Sequence, residues 1–140
     1  PDASPSAAQH SAASHVFSIL RVLIAEDNPT NQMVIVGMLK KYNITPTVAN
    51  DGLDALQVMM TIESGFDVVF MDCEMPNMDG FELVRQLKND DATAKTPIIM
   101  ISSRTAEKHQ ALAKTLGVNV FMGKPIQDEA LIANISSLLA

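Results

Sequence analysis

Residues 67–80 have the sequence DVVFMDCEMPNMDG, an apolar run that ends at Asp72 and continues into a polar loop. Short, nearly continuous apolar runs are typical of parallel strands buried on both faces. Open α/β sheets bind their ligands beyond the carboxyl ends of such strands. Asp72 is therefore the first candidate for a functional residue.

Four other apolar runs, at 21–25, 46–49, 97–101 and 118–122, alternate with amphipathic segments. The apolar faces of four predicted helices are formed by Ile35, Met38, Leu39 and Tyr42; Leu53, Leu56 and Met60; Phe81, Val84 and Leu87; and Leu131, Ile135 and Leu138. A further helix at about 104–116 has the weakest apolar face, consisting of Ala106, Ala111, Ala113 and Leu116. We expect this helix to be the most loosely held.

Helix ends carry the expected signals. Thr30 is predicted to cap the first helix, residues 50–52 to form the turn into the second, and Gly117 to end the fourth. Five β-α units with short connections predict an α/β fold with a flavodoxin-like, doubly wound, five-stranded parallel sheet. Its predicted strand order is 2-1-3-4-5, with helices on both faces.

Length and composition limit the function classes. The 140 residues suffice for one domain, and 47% hydrophobic with 19% charged residues are typical of a globular chain. The net charge of −6 argues against a general nucleic-acid-binding surface, and no apolar run is long enough to span a bilayer. Cys73 stands alone in the sequence, which excludes an internal disulfide and favours a buried, unreactive thiol in a reducing compartment.

The first 18 residues differ from the rest of the chain. Residues 1–18 are rich in Ala, Ser and Pro and predict a flexible linker or a remnant of expression, so the domain should cover 19–140. We expect His10 and His15 to be solvated within this linker. Since the chain begins with Pro, we interpret it as a fragment of a larger protein.

The predicted strand order places the acid pair Glu26-Asp27, which follows the first strand, beside Asp72. Each acid alone is more typical of a turn or cap, but these acids and Lys124 agree at three strand ends. Clustered carboxylates repel one another unless a cation neutralises them, and Mg²⁺ prefers such oxygens together with phosphate. Lys124 and Ser102 follow two other strands and can bind a phosphoryl group. This set suits attack by Asp72 on phosphorus, giving an aspartyl phosphate.

The motifs LIAEDN at 23–28, MDCEMPNMDG at 71–80, ISS at 101–103 and GKP at 123–125 resemble, in order, those of two-component receiver domains. The likeness covers about residues 20–140. It implies the following roles: Asp72 as phosphoacceptor, Glu26 and Asp27 as the acidic pair, the Glu74 backbone carbonyl as a further ligand of Mg²⁺ or Mn²⁺, Ser102 as switch hydroxyl, Phe121 as switch aromatic, Lys124 as the phosphate-binding lysine, and a cis Lys124–Pro125 bond.

The same resemblance implies partners and a signal. Asp72 would take its phosphoryl group from a phosphohistidine of a histidine kinase or a histidine phosphotransfer protein, and would lose it by slow self-hydrolysis. Phosphorylation would change the surface of the fourth helix, fifth strand and fifth helix. No direct contact with nucleic acid or membrane is expected, and a weak or phosphorylation-dependent dimer is compatible with the family.

The sequence also suggests a larger context. Residues 26–32 resemble receivers of hybrid histidine kinases, and residues 102–109 resemble those attached to chemotaxis-type kinases. We expect the carboxyl-terminal receiver of a hybrid sensor histidine kinase, located in the cytoplasm or in the cytoplasmic part of a membrane-bound sensor. A free-standing response regulator stays open.

Two residues depart from the common pattern. Glu26 stands where many receivers have Asp, and we expect it to act through a metal-bound water. Phe121 has no hydroxyl, so packing alone would govern its position.

Glu74 and Arg104 are predicted to pair across the mouth of the site and to slow the attack of water on the phosphoryl group. The alternative is a solvated ion pair that has no effect on this rate.

Two other functions compete with that of a receiver. An Asp-nucleophile phosphatase or phosphotransferase usually has a cap domain and a second Asp, the general acid, two residues after the nucleophile. In this chain that position is occupied by Glu74. A binding-only pseudo-receiver is disfavoured because every site position is filled. Met75, Met78 and Met122 are expected to be packing residues, and His109 to be exposed rather than catalytic.

Overall fold

The computed structural model describes residues 20–61, 65–103 and 107–139. The predicted linker at 1–18, including His10 and His15, lies outside the described residues. Five parallel strands form one sheet: β1 (Val22–Ala25), β2 (Thr47–Ala49), β3 (Val68–Asp72), β4 (Ile98–Ser102) and β5 (Val120–Gly123). Their order, β2-β1-β3-β4-β5, confirms the predicted topology.

Most strands lie about one residue later than predicted, which matters at their carboxyl ends. Asp72 and Ser102 are the last residues of β3 and β4 rather than the first residues of loops. Both strands are buried along their whole length, as the continuous apolar runs predicted. The backbones of the two candidate residues are therefore held by the sheet ladder.

Five helices cover the sheet: α1 (Pro29–Lys40), α2 (Gly52–Thr61), α3 (Gly80–Lys88), α4 (Glu107–Leu116) and α5 (Asp128–Leu139). Ile35 and Leu39 of α1 pack with Leu131 and Ile135 of α5 on one face. The other face carries α2, α3 and α4. Helices on both faces confirm the doubly wound architecture.

The start of α1 corrects one prediction. Asn28, not Thr30, is the N-cap: its Oδ1 accepts from the Thr30 and Asn31 N–H groups at 2.9 and 3.2 Å. Pro29 occupies the first helical position, where its missing N–H costs nothing. The cap therefore has to precede the proline.

The prediction for the buried face of α2 was right for Leu56, which packs against the core, and wrong for the other two residues. Leu53 and Met60 are 45% and 47% exposed, whereas Gly52, Ala55 and Met59 are buried. The helix lies so close to the loop after β3 that a Cβ at residue 52 would overlap the Met78 carbonyl oxygen. The inward face is therefore formed by Gly52, Ala55 and Met59.

The fourth helix agrees with its predicted weakness. Within Glu107–Leu116 only Ala113 is buried, while residues 104–106 lie outside the described part. Gly117 follows with φ of +99°, as expected of a glycine that ends a helix. His109 differs from its prediction, because its ring is half-buried and stacks on Phe81 with centroids 6.4 Å apart.

Candidate functional site

The carboxyl ends of the central strands bring the predicted residues together. Strand β1 pairs with β3 and β3 with β4, so that Ala25 lies opposite Met71 and Asp72 opposite Ile101. Glu26 follows β1 directly, and Ser102 ends β4 opposite Gly123 of β5. The predicted convergence of three strand ends at one edge is thus present in the structure.

Three carboxylates form a cluster at this edge. One oxygen each of Glu26, Asp27 and Asp72 lies within 4.8 Å of the others. Glu26 is 2% and Asp72 6% exposed, whereas Asp27 is exposed to solvent. One open and two buried carboxylates suit a hard divalent cation that keeps several waters.

Lys124 supplies the opposite charge. Its Nζ lies 3.4 Å from Asp72 Oδ2 and 3.7 Å from Glu26 Oε1. The ammonium thus reaches both buried carboxylates from the end of β5. The Lys124–Pro125 peptide bond is cis, as predicted.

The Glu26 carboxyl is difficult to ionise within this cluster, as its pKa shows. Burial raises the pKa of Glu26 to about 7, and the Asp72 charge adds to the rise. The Asn28 N–H, which donates to Glu26 Oε2 at 3.1 Å, and Lys124 act in the opposite direction. A divalent cation would restore the ionised form of Glu26, so the residues present fit Mg²⁺.

This pKa gives a stability prediction for the metal-free protein. Native Glu26 keeps a proton between about pH 4.5 and pH 7 that the unfolded chain releases, so its contribution to stability should fall as pH rises through this range. Between the two pKa values, this contribution to the free energy of unfolding falls by up to about 1.4 kcal/mol per pH unit. Urea unfolding with a chelator, for wild type and Glu26→Gln, measures it as a pH-dependent difference between the two proteins. A difference that stays constant from pH 4.5 to pH 7 would contradict the assignment.

The loop after β3 holds Asp72 in place. The Glu74 N–H donates to Asp72 Oδ1 at 3.3 Å, and the Gly80 N–H donates to the Cys73 carbonyl at 2.9 Å. Cys73 is buried, and burial raises the pKa of its thiol to about 11 while Ser102 partly offsets the rise. The predicted burial of this side chain is confirmed.

Glu74 has a partner that the sequence did not suggest. Ser103 Oγ donates to Glu74 Oε1 at 3.1 Å, which links the loops after β3 and β4. Arg104 lies outside the described residues, so its pairing with Glu74 stays a prediction. Two adjacent serines at a strand end are the available sequence signal, but the resemblance implies a role only for Ser102.

The switch candidates lie on neighbouring strands, Ser102 on β4 and Phe121 on β5. Ser102 is fully buried at the end of β4. Phe121 is half-buried and lines a groove of about 500 Å³ with the α4 residues Gln110 and Lys114. Met75 and Met122 are buried and Met78 packs against the core, which confirms them as packing residues.

A second groove opens beside the acidic cluster. Its volume is about 590 Å³, and it is lined by Asp27, Cys73, Glu74, Met75, Pro76, Asp79, Phe81, His109 and Leu112. The groove lies between the loop after β3 and helix α4, and Asp27 is the residue of the acidic cluster that lines it.

Comparison with known proteins decides the family. The family model described as the response regulator receiver domain matches residues 22–136. The chain belongs to this family. It is a receiver domain of two-component signalling, and receiver domains bind Mg²⁺ at an acidic site and interact with histidine kinases and phosphotransfer proteins.

Relatives of this receiver domain fall into two groups: proteins that it matches over nearly their whole length, and much longer kinases that it matches over a small part. Protein PilH of Pseudomonas aeruginosa is 32% identical over 120 residues, which cover 86% of this chain and 98% of PilH. The autoinducer 2 sensor kinase/phosphatase LuxQ of Vibrio harveyi is 32% identical over 112 residues, or 80% of this chain. The match spans only 13% of LuxQ, and in hybrid signal transduction histidine kinase D of Dictyostelium discoideum only 7%.

Solved structures agree with the fold. The receiver domain of a sensor histidine kinase from Pseudomonas aeruginosa, with a magnesium ion coordinated in its active site cleft, superposes with a TM-score of 0.78 at 26% identity. The match covers 86% of this chain and 97% of that one. Chemotaxis protein CheY4 of Vibrio cholerae gives the same TM-score at 26% identity over 85% of this chain and 98% of its own. No helix in the described part of this receiver domain could cross a membrane.

Proposed function

We propose that this receiver domain stores a phosphoryl group on Asp72 and that Glu26, Asp27 and Lys124 make the transfer possible. The observation that carries the proposal is the position of Lys124 Nζ, 3.4 Å from Asp72 Oδ2, at the edge of the three-carboxylate cluster. An ammonium beside a buried carboxylate can both orient the nucleophile and bind an incoming phosphoryl oxygen.

The transfer is a displacement at phosphorus. An Asp72 carboxylate oxygen forms the new P–O bond as the P–N bond of a phosphohistidine breaks, and the electron pair of that bond stays on the imidazole nitrogen. Mg²⁺, held by Glu26, Asp27, Asp72 and the Glu74 carbonyl, would neutralise charge on the phosphoryl oxygens. Lys124 stabilises the same charge from the end of β5, and the Glu74 N–H keeps Asp72 in its orientation at 3.3 Å.

The response to phosphorylation uses Ser102 and Phe121. The phosphoryl group places new acceptor oxygens near the end of β4, where the Ser102 hydroxyl can donate to them. Movement of that hydroxyl leaves space for Phe121, which is half-buried against α4. Because α4 buries only Ala113 among its described residues, a population shift at the α4–β5–α5 surface costs little packing energy.

The phosphoryl donor is a histidine kinase or a histidine phosphotransfer protein. The α1 residues Met33 and Val34 are 74% and 47% exposed. They lie on the helix that borders a groove lined by Glu26, Ile35, Lys124 and Ile126. An apolar surface next to the site supports docking of a donor protein there. We propose that the domain acts in the cytoplasm as the receiver of a hybrid histidine kinase.

Phosphorylation by a small donor tests the proposal. With acetyl phosphate and Mg²⁺, intact mass spectrometry should show one base-labile phosphoryl group per chain, and a chelator should prevent its formation. No adduct under these conditions would favour a binding-only pseudo-receiver. Rapid hydrolysis of many equivalents of donor would favour a phosphatase.

A further inference from the structure

Four polar side chains outside the acidic cluster form a series of two hydrogen-bonded pairs, joined by the peptide bond between Asn50 and Asp51. Gln32 Nε2 on α1 donates to the Glu26 carbonyl at 2.6 Å and to Asn50 Oδ1 at 3.1 Å. Asn77 Nδ2, in the loop after β3, donates to Asp51 Oδ2 at 2.8 Å. The series thus connects the ends of β1, β2 and β3, and the receiver function described above assigns none of these four side chains a role.

The turn between β2 and α2 is the fixed part of this series. Asp51 Oδ1 accepts from the Asp54 N–H at 2.8 Å, and Asp54 Oδ2 accepts from the Asn50 N–H at 2.9 Å. The first bond caps α2, the second fixes the residue before the cap, and Gln32 ties the same turn to the Glu26 carbonyl. Asp51 therefore presents its second oxygen from a rigid support.

The loop at 73–79 is the part that needs support. Glu74, Pro76, Asn77 and Asp79 are exposed, and Asn77 has a φ of +66°, in the left-handed region. Loops of this kind sample other conformations unless a contact selects one. The bond from Asn77 to Asp51 is such a contact, and it joins residues 26 positions apart.

We propose that Asp51 and Asn77 are positioning residues, whose hydrogen bond holds the loop at 73–79 so that the Glu74 backbone carbonyl is ready for a divalent cation beside Asp72. The inference rests on the proposed function. If only a fraction of molecules has the loop in place, the apparent metal affinity falls by that fraction. Loss of one hydrogen bond of this class should weaken Mg²⁺ binding about three- to tenfold.

A set of variants isolates the bond. Asn77→Gly removes the amide, tolerates the positive φ and leaves the net charge unchanged, so weaker binding cannot come from altered long-range electrostatics. Asn77→Asp places two carboxylates face to face and should destabilise this conformation of the loop at 73–79 further. The double variant Asp51→Asn/Asn77→Asp restores a donor–acceptor pair with the wild-type charge. Asp67→Asn, which alters a similar carboxylate bonded to the Arg21 N–H at the opposite end of the sheet, is the matched control.

Two measurements decide the outcome. Titration calorimetry should show Mg²⁺ affinity reduced in both Asn77 variants, recovered in the double variant and unchanged in Asp67→Asn. Amide hydrogen exchange with a chelator should show faster exchange in the loop at 73–79 for the Asn77 variants alone. Affinity within twofold of wild type for both Asn77 variants, or no recovery in the double variant, would overturn the inference. If the wild type itself binds no Mg²⁺, the proposed function fails. Amide hydrogen exchange without metal still tests whether the Asp51–Asn77 hydrogen bond holds the loop.

Discussion

An Asp72→Asn variant is expected to take up no phosphoryl group from acetyl phosphate and Mg²⁺. An amide lacks the negatively charged oxygen that attacks phosphorus, and Glu26, the other buried acid, is expected to keep its metal-binding role. The variant should stay folded, because loss of the Asp72 charge relieves repulsion on the buried Glu26 carboxyl. Intact mass spectrometry measures the adduct, and urea unfolding checks the fold.

The control for this experiment is Asp79→Asn. Asp79 lies in the same loop and caps α3, with its Oδ1 accepting from the Glu82 N–H at 2.9 Å. Asparagine caps helices as well as aspartate does, so this variant should be phosphorylated normally. A full adduct on Asp72→Asn, or equal loss in both variants, would contradict the assignment of Asp72.

Gly52→Ala is expected to destabilise the domain by about 3 kcal/mol, at the upper end of the usual cost of overpacking. The added Cβ would overlap the Met78 carbonyl oxygen and lie 2.9 Å from its carbonyl carbon. Backbone atoms cannot rotate away as a side chain does. Urea unfolding of the two proteins gives the difference in free energy of unfolding.

Gly37→Ala is the matched control, because Gly37 is also helical but has nothing within 4 Å of an added Cβ. Alanine has the higher helix propensity, so this change should stabilise the domain by about 0.5–1 kcal/mol. The two substitutions are expected to change the free energy of unfolding in opposite directions. If Gly52→Ala also stabilises the domain, the close approach of α2 to the loop after β3 is wrong.

The geometry of the candidate site could be predicted from the sequence because each of its residues ends or directly follows a recognisable strand. Parallel strands place their carboxyl ends at one edge, so the strand order alone brings Glu26, Asp27 and Asp72 together. Ser102 and Lys124 follow by the same rule at β4 and β5. The chemistry of the cluster then depends on residue type, which the sequence gives directly.

Close packing between elements could not be predicted in this way. In α2, apolar size favoured Leu53 and Met60, which are exposed, over Gly52 and Ala55, which are buried. The deciding contact is with Met78, a residue far along the chain. The Asp51–Asn77 bond is hidden for the same reason, since two polar loop residues give no sign of which partner each will find.

The location of the phosphoryl group tests the central claim most directly. Borohydride reduces an aspartyl phosphate to homoserine, so the phosphorylated protein can be reduced, digested and sequenced by mass spectrometry. We expect homoserine at position 72 and at no other acidic residue. Reduction at Glu26, Asp27 or Asp79 with Asp72 unmodified would contradict the account.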